Sequence, residues 1–295
     1  MLDFRVNTFL TVCRHMNYTK AAAELNITQP AVTQHIKYLQ NYYGVKLFIY
    51  RDKNLFLTPE GEALRLAKLT QIHDEKRLVQ ALREMGKGRR SIRFGTTLSI
   101  GEYEIPGRLA AYMKQHPDVD VHMIVNRTQV LLQQLDSGFL DFAIVEGYYK
   151  KNEYDYLQWS MEPYICVCAG NHKLPATPLR LEDLFQETLI LRDQGSGTRE
   201  VLVRELEGHN FEISNFRRVV EISDLQVIKT MIMEDCGITF LYRKAVAKEL
   251  ENGTIREVAI DNVRIFHEFT FLWRKNSIFE NEYRELFCEL SGKKV

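Results

Sequence analysis

What this chain has little of narrows its chemistry before any motif is read. Its five cysteines, Cys13, Cys166, Cys168, Cys236 and Cys288, are odd in number and scattered over 295 residues. That argues against a disulfide scaffold and suits a reducing cytosol. Cys166 and Cys168 share one face of an expected strand and His172 follows, yet no third and fourth ligand stand at useful spacing. Both are therefore expected in the core, and no metal is expected. Cys236 has no obvious partner for redox sensing. The eight histidines are dispersed, with no His-Glu-x-x-His and no nucleophile elbow. No catalytic set assembles, so neither an enzyme nor a cofactor is expected. There is no apolar run long enough to span a bilayer, and the N-terminus opens into a helix carrying Asp3 and Arg5 instead of a signal peptide. No membrane partner and a cytoplasmic location follow as expectations.

A formal net charge of zero hides a division. Residues 1–90 hold 15 lysines and arginines against 8 acidic residues, a balance of +7, and the remainder holds 24 against 31, a balance of −7. A positive N-terminal third suits a polyanion that the acidic remainder would repel. The length suits two or three domains, and a hydrophobic fraction of 45% is ordinary for a soluble globular chain.

Phe9 to Gly61 reads as one device. Residues 18–25 form a short helix whose Ala21, Ala22 and Ala23 admit a close neighbour, and Asn26-Ile27-Thr28 is a three-residue turn. Thr28 stands at an N-cap with Pro30 in the first turn that follows. Val32, Ile36 and Leu39 repeat at helical spacing and face a core, which leaves Gln29, Ala31, Thr33, Gln34 and Lys37 outward. Gly44 ends that helix. Residues 46–50 and 55–57 read as strands around the tip Arg51-Asp52-Lys53-Asn54, a basic hairpin placed to touch phosphates. Thr58-Pro59 then opens a helix to Met85. A tight turn between two helices is common in small helical domains, but this whole order specifies a winged helix-turn-helix. The expected DNA-contacting residues are Thr28, Gln29, Pro30, Ala31, Thr33, Gln34 and Lys37, with Arg51 and Lys53 from the wing.

The chain resembles a LysR-type transcriptional regulator over nearly its whole length. The resemblance is carried by Ala21-Ala22 with Leu25, residues 28–33, 36–39 and 44–48, and Leu57-Thr58-Pro59-Glu60-Gly61. Two positions depart from it. Tyr50 stands where the family commonly has arginine, leaving Arg51 or Lys53 to supply the phosphate contact, and Gln40 replaces a frequent acidic residue. The resemblance implies double-stranded operator DNA as partner, a homodimer and further a homotetramer. It also implies a two-lobed, periplasmic-binding-protein-like domain for a small-molecule effector.

From residue 62 to 85, Leu64, Leu66, Leu69, Ile72, Leu78, Val79, Leu82 and Met85 form an apolar stripe. A small winged domain cannot cover it, so it is expected on the same helix of a second subunit; the other reading lays it on its own effector domain. Gly86-Lys87-Gly88-Arg89-Arg90 breaks the helix. The expected division is a winged helix-turn-helix over 1–58, a linker helix over 59–88 and an effector domain over 89–295. In the last, lobe I takes about 89–161 and 268–295, and lobe II about 162–267. Strands at 91–96, 119–125 and 140–145 alternate with helices at 105–116 and 130–137. Strands at 164–169, 188–191, 216–220 and 238–241 alternate with helices at 182–185, 199–207 and 225–234, and a strand at 269–273 and a helix at 280–290 close the chain. This is an α/β class with helices on both faces of largely parallel sheets.

Such sheets bind ligands beyond the carboxyl ends of their strands. Thr97 and Ser99 follow the first strand, where Ser99-Ile100-Gly101-Glu102 also fits a capping box, and Ile100 would give the pocket a greasy wall. Asn126 and Thr128 follow the second strand, Glu146 and Gly147 the third. Gly195, Ser196, Thr198 and Arg199 lie in a glycine-rich turn whose N–H and side-chain donors suit a carboxylate or other oxyanion. Arg199 in an internal ion pair is the competing reading. Ser223-Asp224 reads as a helix cap. A carboxylate at Glu146, if it faces the cleft, favours a ligand with an amine or hydroxyl. The expected function is an effector-controlled DNA-binding regulator; the alternative is a two-lobed binding protein or enzyme whose N-terminal domain only dimerises.

Overall fold

The N-terminal unit is punctuated by its caps. A computed structural model describes residues 3–85, 90–174, 179–261 and 263–294; of the expected break at Gly86–Arg90 only Arg90 lies within them, and it opens a strand. Helix α1 (Phe4–His15) opens where the Asp3 carboxylate accepts the Arg5 amide, and α2 (Tyr18–Leu25) runs from Asn17 to Asn26. Helix α3 (Gln29–Tyr43) opens at Thr28, whose hydroxyl accepts from the Ala31 amide at 3.3 Å, and stops at Gly44 with φ +67°. Phe9, Val12, Ala21, Val32, Ile36, Leu39 and Leu47 fill the core between them. Strands β1 (Phe48–Arg51) and β2 (Asn54–Leu57) form the wing. Asp52 and Lys53 have φ of 46° and 65°, the primed two-residue turn that matches strand twist. The tip is thus two residues, and Arg51 pairs with Asn54 within the ribbon.

Helix α4 (Pro59–Met85) reverses the expected use of its faces. From Thr70 onward its buried side chains are Thr70, His73, Asp74 and Arg77, the last three standing 3, 4 and 7 positions beyond the first, and they dock on the same chain's effector domain. The Asp74 carboxylate accepts from Ser277 Oγ at 2.6 Å and from the Ile278 amide at 3.0 Å. His73 reaches Asp74 Oδ1 through Nδ1 and the Asp141 carbonyl through Nε2, both at 3.1 Å. Arg77 donates to Glu282 at 2.5 Å. Leu64, Leu69 and Ile72 pack against the winged-helix core, whereas Leu78, Val79, Leu82 and Met85 stay exposed. The helix therefore does lie on its own effector domain, but by a polar seam that periodicity of apolar residues could not reveal.

Beyond it come β3 (Arg90–Thr96), α5 (Leu98–Tyr103), α6 (Ile105–Gln115), β4 (Val119–Val125), α7 (Thr128–Asp136) and β5 (Phe142–Val145). Next are β6 (Tyr154–Ala169), β7 (Thr188–Leu191), α8 (Gly197–Gly208), β8 (Arg218–Glu221), α9 (Leu225–Met233) and β9 (Ile238–Tyr242). The chain closes with α10 (Ala247–Glu251), β10 (Ile255–Glu257), β11 (Ile265–Arg274) and α11 (Glu280–Ser291). Among the described residues the strands run in the order β4-β3-β5-β11-β6-β9-β7-β8, with β10 on β6. The apolar run of β5 is buried along its whole length, as a strand covered on both faces requires.

Strands β6 and β11 cross from one lobe to the other. The first half of β6 pairs with β11, and Tyr164 to Cys168 pair with β9. The expected strands at 164–169 and 269–273 are the apolar parts of longer ones, because Tyr154 to Pro163 mixes charged and apolar residues on an alternating, half-exposed strand. Cys166 and Cys168 are buried in the main core, as expected. No helix among the described residues is long and apolar enough to cross a membrane.

Candidate nucleic-acid interface and effector cleft

The outward face of α3 is presented by the helices behind it. Thr28, Gln29, Pro30, Thr33, Gln34 and Lys37 are exposed, and Ala31 is half-buried. Gln29 Nε2 donates to Thr33 Oγ1 at 3.0 Å, fastening two of these side chains along the helix. Thr28 spends its hydroxyl on the cap. The Gln40 amide oxygen accepts from the Leu47 amide at 2.9 Å, so this departure from the family pattern ties the end of α3 to the root of the wing. In the wing, Arg51 and Lys53 are exposed, as is Tyr50 at 66%. Side chains alternate along a strand, so Arg51 leaves the ribbon from the face opposite Tyr50 and cannot occupy the place of an arginine at 50.

In the effector domain the carboxyl ends of β3, β5 and β7 meet the starts of α5, α7 and α8 around a cavity of about 260 Å³. Thr97, Asn126, Thr128, Glu146 and Ser196 line it, and so do Leu98, Glu102, Arg127, Arg192 and Asp224. Glu146 stands at its centre and is 3% exposed. Ser99 Oγ donates to Glu146 Oε1 at 3.2 Å and Thr198 Oγ1 at 3.3 Å, one hydroxyl from each lobe. Oε2 is buried with no hydrogen-bond partner, as is the Thr97 hydroxyl. Burial pushes the Glu146 carboxyl up to about 7, against the lowering effect of the surrounding hydroxyls and of Arg192.

Several expected contacts are redirected. Ser99 is not a cap: α5 starts at Leu98 with Thr97 in the N-cap position, so Ser99 lies inside the first turn and faces Glu146. Ile100 does not line the cavity. One residue further round the same turn, it is fully buried in the main core, and Leu98 and Val125 supply the apolar wall. Thr128 gives its hydroxyl to the Glu146 carbonyl at 2.7 Å. Arg199 is ion-paired with Glu221 and donates to the Arg192 carbonyl at 3.2 Å, which is the competing reading of that residue. Gly147 and Gly195 have φ of +91° and +81°. A Cβ on Gly147 would stand 3.3 Å from Gly197 Cα, so the two lobes approach here backbone to backbone. Asp224 caps α9, its carboxylate accepting from the Val227 amide at 3.0 Å, and also borders the cavity.

Sequence reasoning missed the clasp across the cleft. Arg127 of lobe I pairs with Asp193 of lobe II, and Arg192 Nε lies 3.6 Å from the other Asp193 oxygen. Arg192 and Asp193 open the glycine-rich turn, which was a signal, but nothing in the sequence joins that turn to Arg127. Among the described residues, no group of three or more His, Cys, Asp or Glu could hold a metal ion.

Comparison with known proteins agrees with this architecture. Residues 5–62 match the family described as bacterial regulatory helix-turn-helix protein, lysR family, and residues 86–287 match the LysR substrate binding domain. The transcriptional regulator CysL of Bacillus subtilis is 27% identical over 97% of this chain and 95% of its own. The transcriptional regulator CfxR of Cupriavidus necator is 30% identical over 85% of this chain and 78% of its own. Among solved structures, a full-length OxyR variant of Pseudomonas aeruginosa superposes with a TM-score of 0.61 at 20% identity, covering 98% of this chain and 94% of that one. These relatives are regulators and not enzymes, which sets aside the two-lobed enzyme alternative. A lysR-family helix-turn-helix domain and a LysR substrate binding domain, matched in that order along the chain, make it a member of the LysR family of DNA-binding transcriptional regulators.

Proposed function

We propose that α3 enters the major groove of a duplex operator, with Gln29, Thr33 and Gln34 reading base edges and Lys37 and the wing residues Arg51 and Lys53 meeting phosphates. The observation that carries this reading is the single exposed face on which the α3 side chains stand, backed by the +7 balance of residues 1–90. Two copies joined through the exposed Leu78, Val79, Leu82 and Met85 of α4 would place two such helices on successive half-sites, and pairs of dimers would give a tetramer. The cavity around Glu146 receives a small cytoplasmic effector. Thr97, Ser196 and the N–H groups at the start of α8 support an oxyanion on that ligand. Effector binding shifts the balance between arrangements of the two lobes and so of the paired winged domains, provided the ligand prefers one of them.

The test is selection of bound fragments from genomic DNA by the full-length protein, compared with Gln34→Ala and Lys37→Ala. Enrichment of a two-fold-related motif by the wild type and weaker retention by both variants are expected. Equal binding by both variants would show that another surface reads the DNA.

A further inference from the structure

The charges around the effector cavity do not suit a purely anionic ligand. Two guanidinium groups border it, Arg127 and Arg192, and both are turned to the same carboxylate, Asp193. Three further carboxyl groups line the cavity: Glu102, Glu146 and Asp224. A ligand carrying two negative charges would enter a space where positive charge is already shared and carboxyl groups outnumber guanidiniums.

The unmet hydrogen-bonding groups indicate what the cavity does accept, and they are of both kinds: Arg192 Nε is a buried donor without a hydrogen-bond partner, suited to the carboxylate of a ligand. Glu146 Oε1 receives Ser99 and Thr198, but Oε2 receives nothing, and the carboxylate is almost wholly buried. The phenol of Tyr242 stands within reach of both Glu146 and His267 Nδ1, the latter at 3.2 Å, and its one proton serves only one of them, so with His267 as its acceptor Oε2 is left without a donor. A buried carboxylate oxygen without a donor is costly, and an incoming cation that pairs with it recovers that cost on binding. The Thr97 hydroxyl, also buried and unmet, stands in the same lining, with Ser196 across the cleft. A cavity of about 260 Å³ falls just below the roughly 300 to 1,000 Å³ of drug-sized ligand sites, which suits a ligand of few atoms.

We infer that the effector is a small zwitterion of the amino-acid class, its ammonium group paired with Glu146 Oε2 and its carboxylate at the Thr97–Ser196 end. This rests on the reading that the effector occupies the cleft, and it narrows the ligand beyond an oxyanion. The burial that pushes Glu146 up to about 7 fits this pairing, since a docked ammonium adds counter-charge where Arg192 and the hydroxyls do not outweigh burial.

The test uses the full-length protein, thermal shift and calorimetric titration. The probes are the common amino acids, the same acids without the amine, and three- to five-carbon dicarboxylates. At least one amino acid is expected to stabilise the wild type while its des-amino counterpart does not. Glu146→Gln should weaken that binding by about tenfold or more, the loss expected of one charge-assisted contact. A wild-type circular dichroism spectrum and a single cooperative melt of Glu146→Gln control for folding. The inference is overturned if no amino acid binds, if a dicarboxylate or des-amino acid binds as well as any amino acid, or if Glu146→Gln leaves amino-acid binding unchanged. Thr97→Ala and Ser196→Ala separate the two levels. A dicarboxylate whose binding these variants abolish leaves the cleft standing and removes only the amine. A ligand indifferent to both variants removes the cleft itself.

Discussion

Asp141 and Glu146 bracket a single buried strand. The Asp141 carbonyl meets His73 of the linker helix at 3.1 Å, and its carboxylate holds Arg93 at 2.7 Å. Five residues on, past β5, the Glu146 carboxyl faces the effector cavity. The seam that fixes α4 and the group that meets the ligand are thus two ends of one rigid element, roughly 16 Å apart at the rise of a strand.

Glu146 makes stability fall with pH. Its carboxyl is raised from 4.5 to about 7 in the fold, so the folded state holds a proton that the unfolded chain has lost between those values. Stability is therefore highest below pH 4.5 as far as this group is concerned, declines through the interval, and has lost on the order of 3 kcal/mol above pH 7. Glu146→Gln, which keeps the shape of the protonated acid, should be more stable than wild type at pH 8, with the difference closing toward pH 5. Urea denaturation across that range measures it, and equal midpoints at pH 8 would count against a buried acid.

Asp74 runs the opposite way. Burial alone would raise its carboxyl, but hydrogen bonds from His73, Ser277 and the Ile278 amide outweigh it and hold the group below its ordinary value. Its contribution is present above the unfolded value and is lost as acid protonates it. Asp74→Ala should free α4 from lobe I, leaving Ser277 and the Ile278 amide without their acceptor at a cost of about 1–3 kcal/mol. Faster hydrogen exchange along α4, with the winged domain unchanged, is the expected signature.

Gly61→Ala probes the joint between winged domain and linker. A Cβ there would stand 2.3 Å from the Leu47 carbonyl and 2.8 Å from Leu57. One contact is backbone and cannot swing away, so the wing root or α4 must shift, costing about 1–3 kcal/mol or more. A lower melting temperature together with weaker DNA binding should follow, since Leu47 leads directly into the wing.

Lys37→Ala and Gln34→Ala should differ in kind. Loss of a phosphate contact at Lys37 weakens binding to all sequences alike and lowers the salt slope by about 1. Loss of a base contact at Gln34 costs about 1–3 kcal/mol on the cognate site and little elsewhere. Titrations at several salt concentrations on cognate and unrelated duplexes distinguish them, and identical profiles would contradict the division of roles.

The winged domain was legible because its signals are local. Thr28, Pro30 and Gly44 act on neighbours a few residues away, and the structure uses them as read, whereas the wing tip is shorter than the four residues expected. Strand and helix alternation in the lobes was legible for the same reason. The cleft was legible only as strand ends. Ser99 turned from a cap to Glu146, and Ile100 from the pocket wall to the core, because a one-residue shift in the start of α5 rotates each side chain by about 100°. The Arg127–Asp193 clasp and the α4 seam join residues 66 and more than 200 positions apart, and no local pattern carries that information. The seam was hidden further by being polar, since the search for a buried face followed leucines and not Thr70, His73, Asp74 and Arg77.

Gln40 has a consequence of its own. The amide that anchors the wing root to the recognition helix has no proton to gain or lose in the physiological range, where a carboxylate in its place could. It also adds no negative charge beside a surface that must approach phosphates. The wing is therefore held in the same way at every pH the fold survives. The carboxyls of Glu146 and Asp74, which do shift, lie away from this joint, in the effector cleft and the linker helix.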